Sequence, residues 1–207
     1  MTKMLPRYKI QIMKNFWESC VDEALVALGK MIRKDVRPIE SSIKIELINN
    51  LSETLNHTKI SNIIVYTKIT NSFNSIVLIC SPLNNYLKLI DMLLHKKIEY
   101  YEALDQENIP SVIELGNIIN GYFISSLNSL FEEKFNFYET EISTNPYRVI
   151  EDFGFGDIYM KKIRVLKFES DFKVLSENIN GKLILLTDMN KIDKILENIS
   201  SKLHIVR

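Results

Sequence analysis

Glu114 and Asn117 put a carboxylate and a carboxamide three residues apart in the segment PSVIELGNIINGYFISSLNSLFEE. At about 100° per residue this spacing sets both side chains on one face of a helix. The two groups do different work: Glu supplies a fixed charge, whereas the Asn amide offers both a donor and an acceptor and can orient a water molecule. Glu114, Asn117, Gly121, Ser125 and Asn128 continue as a polar stripe, opposite Ile113, Ile119, Phe123, Leu127 and Leu130. An E-x-x-N pair alone is an ordinary solvated helix face, so its surroundings must decide its meaning.

Two glycines, Gly116 and Gly121, interrupt this helix. Each costs roughly 1 kcal/mol relative to Ala in a helix interior. Gly116 is predicted to permit tight packing against a neighbouring element. Gly121, one turn beyond Asn117 on the polar stripe, would let a partner surface come near, so the stripe is predicted to be a docking face.

The elements that must position this helix follow from periodicity. From Ile12 to about Lys34 apolar residues (Phe16, Cys20, Ala24, Leu25, Leu28, Met31, Ile32) recur at helical spacing, and Arg37-Pro38 closes the pattern. Three β-branched segments follow, SSIKIELI, SNIIVYTKIT and NSIVLIC, with a hairpin turn predicted around Asn71 to Asn74 and a meander as the simplest pairing. Ser81-Pro82 ends the last strand and opens a second helix, PLNNYLKLIDMLLHKK. The order then repeats: a helix from near Glu107 to Lys134, strand material over 135–143 and 158–175, the strand NGKLILL and the helix MNKIDKILENIS.

The strand-to-helix junction VLICSPLNNYLKLID at 77–91 lies over LILLTDMNKIDKILE at 183–197, and ALGK at 27–30 lies over ELGN at 114–117. Any two amphipathic α/β segments look somewhat alike, but shared order and shared junctions favour a true duplication. No Gly/Pro/Ser linker divides the halves, and the only loose joint is the polar stretch around Glu102 to Asn108. The expectation is one domain over 1–207, with one pseudo-repeat at about 12–100 and a second at about 105–201, the two half-sheets joined into one.

Composition excludes several classes of function. The 26 basic and 26 acidic residues cancel, which argues against general attraction to nucleic acid or an anionic membrane. Cys20 and Cys80 lie far apart, and His57, His95 and His204 are isolated, so neither a disulfide framework nor a usual metal-ligand spacing emerges. No apolar run approaches the length of about 20 residues that crosses a bilayer, and nothing at the N-terminus resembles a signal peptide; a cytoplasmic protein is expected. The GFG around Gly154, between Asp152 and Asp157, lacks the following helix of a phosphate cradle. Tyr100-Tyr101 and Phe153 to Phe155 read as core or hinge aromatics.

ELGNIINGYFISSL resembles the second signature helix of the CheC-like family of chemotaxis phosphatases (CheC, CheX and FliY), approximately E-I-G-N-I-x-x-G-x-Y-L-x-A-L, through Glu114, Gly116, Asn117, Gly121 and Leu127. The resemblance covers nearly the whole chain, because that family is also duplicated. It implies a mixed α/β fold of helix–β-strands–helix halves sharing a sheet, with two long signature helices on one face. It further implies insertion of the Glu114/Asn117 helix into a phosphorylated CheY-type response regulator. There Asn117 would position the attacking water and Glu114 would pair with a lysine, with Ser111, Gly121, Ser125 and Pro146 on the docking face. The phosphatase would need no cofactor of its own, since the regulator would supply Mg²⁺ and the aspartyl phosphate. Other implied partners are a CheD-type deamidase and flagellar switch proteins, which would suit a binding module without catalysis.

Three departures from the family pattern stand out. The first helix reads EALVALGKMI, with Ala27 where the glutamate belongs and Lys30 where the asparagine belongs. A lysine can neither accept a hydrogen bond nor hold water as an amide does, so only one active face is expected. Pro110 stands one turn before Glu114, where the family has an acidic or hydroxyl residue, and Ser111 is the nearest substitute. Pro146 follows the asparagine at a longer interval than in the family.

Overall fold

The protein is described by a computed structural model that covers residues 6–48, 50, 62–70, 75–94, 106, 108–131, 135–153, 164–189 and 196. The helical periodicity that begins at Ile12 lies within α1 (Arg7–Ile32), which ends on a left-handed Arg33 with φ 55°. Next come β1 (Val36–Leu47), β2 (Asn62–Thr70), β3 (Ser75–Pro82) and α2 (Leu83–Leu94). The second half contributes α3 (Ile109–Phe131), β4 (Asn136–Phe137), β5 (Glu141–Ser143), α4 (Pro146–Asp152), β6 (Arg164–Val174) and β7 (Ile179–Asp188).

All described strands join one antiparallel sheet in the order β1-β6-β7-β3-β2-β4, with β5 also paired to β2. The predicted hairpin of β2 and β3 forms, closing from Ile69 opposite Ser75, while its turn at 71–74 lies outside the described residues. The predicted meander does not form. Instead β1 pairs along its length with β6, and β4 and β5 pair with β2, so each half lends its leading strand to the hairpin of the other. Sequential strands pair more often than not, and nothing in the local pattern of β1 reveals that it crosses over. Its mostly exposed side chains do mark an edge position.

The halves meet at β3 and β7, in register from Ser75 opposite Thr187 to Cys80 opposite Lys182. From Ser75 to Ser81 every residue of β3 is buried, as expected of a central strand covered on both faces. The long helices α1 and α3 pack side by side on one face of the sheet. Trp17 ties them together: its ring lies 5.3 Å from Phe123 of α3 edge-on and 5.6 Å from Phe168 of β6, and its indole N–H donates to Ser170 Oγ at 2.7 Å. Tyr86, Leu89 and Ile90 of α2 complete this core.

The opposite face carries a second cluster, in which Ile64, Tyr66, Ile76, Leu78, Ile184 and Leu186 meet Val149, Ile150 and Phe153 at α4. Toward β1 the same face turns ionic. Lys167, 2% exposed, lies 3.2 Å from Glu46 and 2.9 Å from Glu169, which also holds Lys182 at 2.7 Å. Helix α4 went unpredicted, although Asn145 caps it by accepting the Tyr147 N–H and Pro146 opens its first turn. The GFG segment from Gly154, Asp157, Tyr100-Tyr101, the three histidines and most of the C-terminal helix predicted at 189–200 lie outside the described residues.

Candidate functional site

Helix α3 is seated from its inner face. A Cβ added to Gly116 would overlap Val65 Cγ1 on β2 and stand 3.2 Å from Thr140 Cγ2, so only glycine lets the helix come this close. One turn on, buried Asn120 donates from Nδ2 to Thr67 Oγ1 at 2.9 Å, and Thr67 shares a 2.7 Å hydrogen bond with Thr140 Oγ1. This buried chain of polar groups fixes the rotation of α3 on the sheet, because a twist of the helix would strand the amide among apolar neighbours. Sequence reasoning passed over Asn120; its signal was a polar side chain among the apolar positions of NIING. Its Oδ1 has no hydrogen-bond partner among the described residues.

With the inner face fixed, Glu114 and Asn117 face solvent, while Leu115, Ile119, Phe123 and Leu127 are buried behind them. Ile113, expected opposite the stripe, is half-buried. Asn117 Nδ2 donates to Glu114 Oε2 at 3.3 Å. The carboxylate thereby orients the amide, and the amide oxygen keeps its acceptor capacity for a water or a partner N–H. Gly121 is exposed, and a Cβ there would meet nothing within 4 Å. No contact within the fold requires glycine at this position, unlike at Gly116.

Ser125 continues the exposed stripe, and its carbonyl accepts from Ser129 Oγ at 3.1 Å. Ser111 is half-buried in the first turn beside exposed Pro110. Asn128 leaves the stripe: it is half-buried, and its Oδ1 accepts the backbone N–H of Phe135 at 2.9 Å, holding the chain that leaves α3. Pro146, expected on the docking face, is instead buried where α4 begins. The reason is the packing of α4, whose Val149 and Ile150 join the cluster on the far side of the sheet from α3. That side is braced by Tyr66, whose hydroxyl donates to Asp152 at 2.5 Å and lies 3.0 Å from Glu141. Burial and these two carboxylates hold the phenol well above its usual pKa.

On the other long helix the equivalent positions are chemically different. Ala27 is 9% exposed, and Lys30 faces solvent with no ion pair among the described residues. Glu23, one turn before Ala27, accepts from Ser126 Oγ of α3 and so stitches the two helices together. The carboxylate and carboxamide pair therefore stands on α3 and not at these positions of α1.

No known family model matches the sequence, and no curated protein matches it. Solved structures do. Thermotoga maritima FliY is similar over 96% of this chain and 99% of its own, with a TM-score of 0.72 at 14% identity. The chain has the CheC-like fold. A CheC-like superfamily protein from Shewanella sp. PV-4 gives a TM-score of 0.55 at 15% identity, over 84% of this chain and 96% of that one. FliM from H. pylori, crystallised in complex with FliG, gives 0.65 at 7% identity, over 93% and 100%. The mixed α/β architecture, with two long helices on one face of a shared sheet, is what superposes on these neighbours. Among the described residues no helix is long and apolar enough to cross a membrane, and no cluster of His, Cys, Asp and Glu could hold a metal ion.

Proposed function

We propose that this protein is a chemotaxis phosphatase that removes the aspartyl phosphate of a CheY-type response regulator, acting in the cytoplasm through the exposed face of α3. The observation that carries this reading is the Glu114–Asn117 pair, an amide held by its own carboxylate on a helix that Gly116 and Asn120 fix against the sheet. Asn117 accepts from and donates to one water, aligning its oxygen with the phosphorus. The new P–O bond forms as the bond to the aspartyl oxygen breaks, giving inorganic phosphate and a free carboxylate. An acyl phosphate is already reactive, so positioning the nucleophile accounts for most of the acceleration, as a glutamine does in small GTPases. Glu114 keeps Oε2 on the Asn117 amide and offers Oε1 to a receiver lysine. The Mg²⁺ that neutralises charge on the phosphoryl oxygens belongs to the receiver.

The test is phosphate release from a phosphorylated receiver with wild type and Asn117→Ala side by side. Acceleration by the wild type and its loss in the variant support the mechanism; equal rates overturn it. A non-catalytic binding module is favoured by a different observation, namely that a neighbour of this fold was crystallised as a FliG–FliM complex. Receiver or switch-component binding without faster hydrolysis would select that role.

A further inference from the structure

Between α1 and α3 lies an open groove of about 430 Å³ lined by Glu23, Val26, Ala27, Lys30, Met31 and Tyr122. Tyr122 follows Gly121 directly, so the groove flanks the polar stripe of α3. Two of its side chains are large apolar groups left in water: Val26 is 53% and Tyr122 47% exposed. Its two charged side chains, Glu23 and Lys30, are of opposite sign, and Glu23 also accepts from Ser126 Oγ.

We propose that this groove is the second half of the receiver-docking surface, where an apolar side chain of the phosphorylated receiver seats between Val26, Met31 and Tyr122. The inference rests on the phosphatase reading for its choice of partner. Size is the first argument. The stripe from Glu114 to Ser125 is roughly 16 Å long and 10 Å wide, far below the about 800 Å² that each partner of a standard specific complex buries. A protein seated on Asn117 must spread sideways, and the α1 flank offers a concave, apolar, aromatic-walled surface next to Gly121. Tyrosine is a preferred anchor at such places because it brings large contact area at low conformational cost. Continuity with the stripe is the second argument. Tyr122 adjoins Gly121 in the chain, so a protein that covers the stripe also reaches the groove. The helix of the first half, which lacks the catalytic pair, thus keeps a binding task for the second.

The experiment measures two quantities on wild type, Val26→Glu, Tyr122→Ala and Asn117→Ala: Kd for a receiver loaded with beryllofluoride, and kcat for hydrolysis of the phosphorylated receiver at saturation. Val26 and Tyr122 are exposed, so the fold should tolerate both changes, which circular dichroism checks. Each groove variant should raise Kd about tenfold while kcat stays within twofold. Wild-type Kd in both groove variants overturns the inference. The phosphatase reading fails separately, if Asn117→Ala keeps wild-type kcat or if no protein accelerates hydrolysis. In that case a raised Kd in the groove variants would still establish the groove as a docking surface.

Discussion

Gly116 and Val65 are packed so closely that a single added methyl at residue 116 would overlap the Val65 side chain, whereas the same methyl at Gly121 would enter open space. Two glycines that look alike in the sequence thus have opposite relations to the fold. Gly116→Ala should lower stability by about 1–3 kcal/mol, since overpacking outweighs the helix propensity of alanine. Urea unfolding monitored through Trp17, which lies in the same core, measures this.

Gly121→Ala should do the reverse for the free protein, raising stability by up to about 1 kcal/mol through helix propensity alone. If the stripe is a docking face, the same change should weaken receiver binding, because the methyl projects into the partner. Stability and affinity would then move in opposite directions, which no purely structural role of Gly121 allows.

Asn117→Ala should lower kcat for receiver dephosphorylation by about 10²-fold or more, the range seen when one preorganised polar group at a reacting centre is removed. Glu114→Ala should act mainly on binding, because its carboxylate is the docking charge. Both residues are exposed, so thermal midpoints should stay close to wild type. A variant pair in which Asn117→Ala changes only Kd and Glu114→Ala only kcat would reverse the assigned roles.

The sequence made α3 and its outward stripe legible because a 3.6-residue period reports which side chains share a face, and Glu114, Asn117, Gly121 and Ser125 all fall there. The same logic failed where position depends on partners remote in the chain. Strand β1 carries no local mark of its pairing with β6, and α4 carries Pro146 to the far face through contacts of Val149 and Ile150 that periodicity does not encode. Asn120 and Tyr122 were missed for a related reason. A buried amide and an exposed tyrosine both look incidental until Thr67 and the α1 flank are placed beside them.

The ionic patch beneath the sheet yields a pH prediction whose sign follows from Glu169. Burial pushes its carboxyl up, but hydrogen bonds from Lys182 and Lys167 and the charges of both pull further, leaving it below the usual glutamate value. A carboxyl depressed in the folded state stabilises the fold above its unfolded pKa of about 4.3, and that contribution is lost as pH falls through the lower folded value. Urea midpoints should therefore drop as pH is lowered from 5 toward 3. Glu169→Gln should be less stable than wild type by about 3 kcal/mol at pH 7, since Lys167, 2% exposed, would keep Glu46 as its one counter-charge among the described residues. The gap between the two proteins should narrow in acid, where the wild-type glutamate also becomes neutral. Parallel stability curves from pH 7 to pH 3 would show that Glu169 does not couple folding to protons.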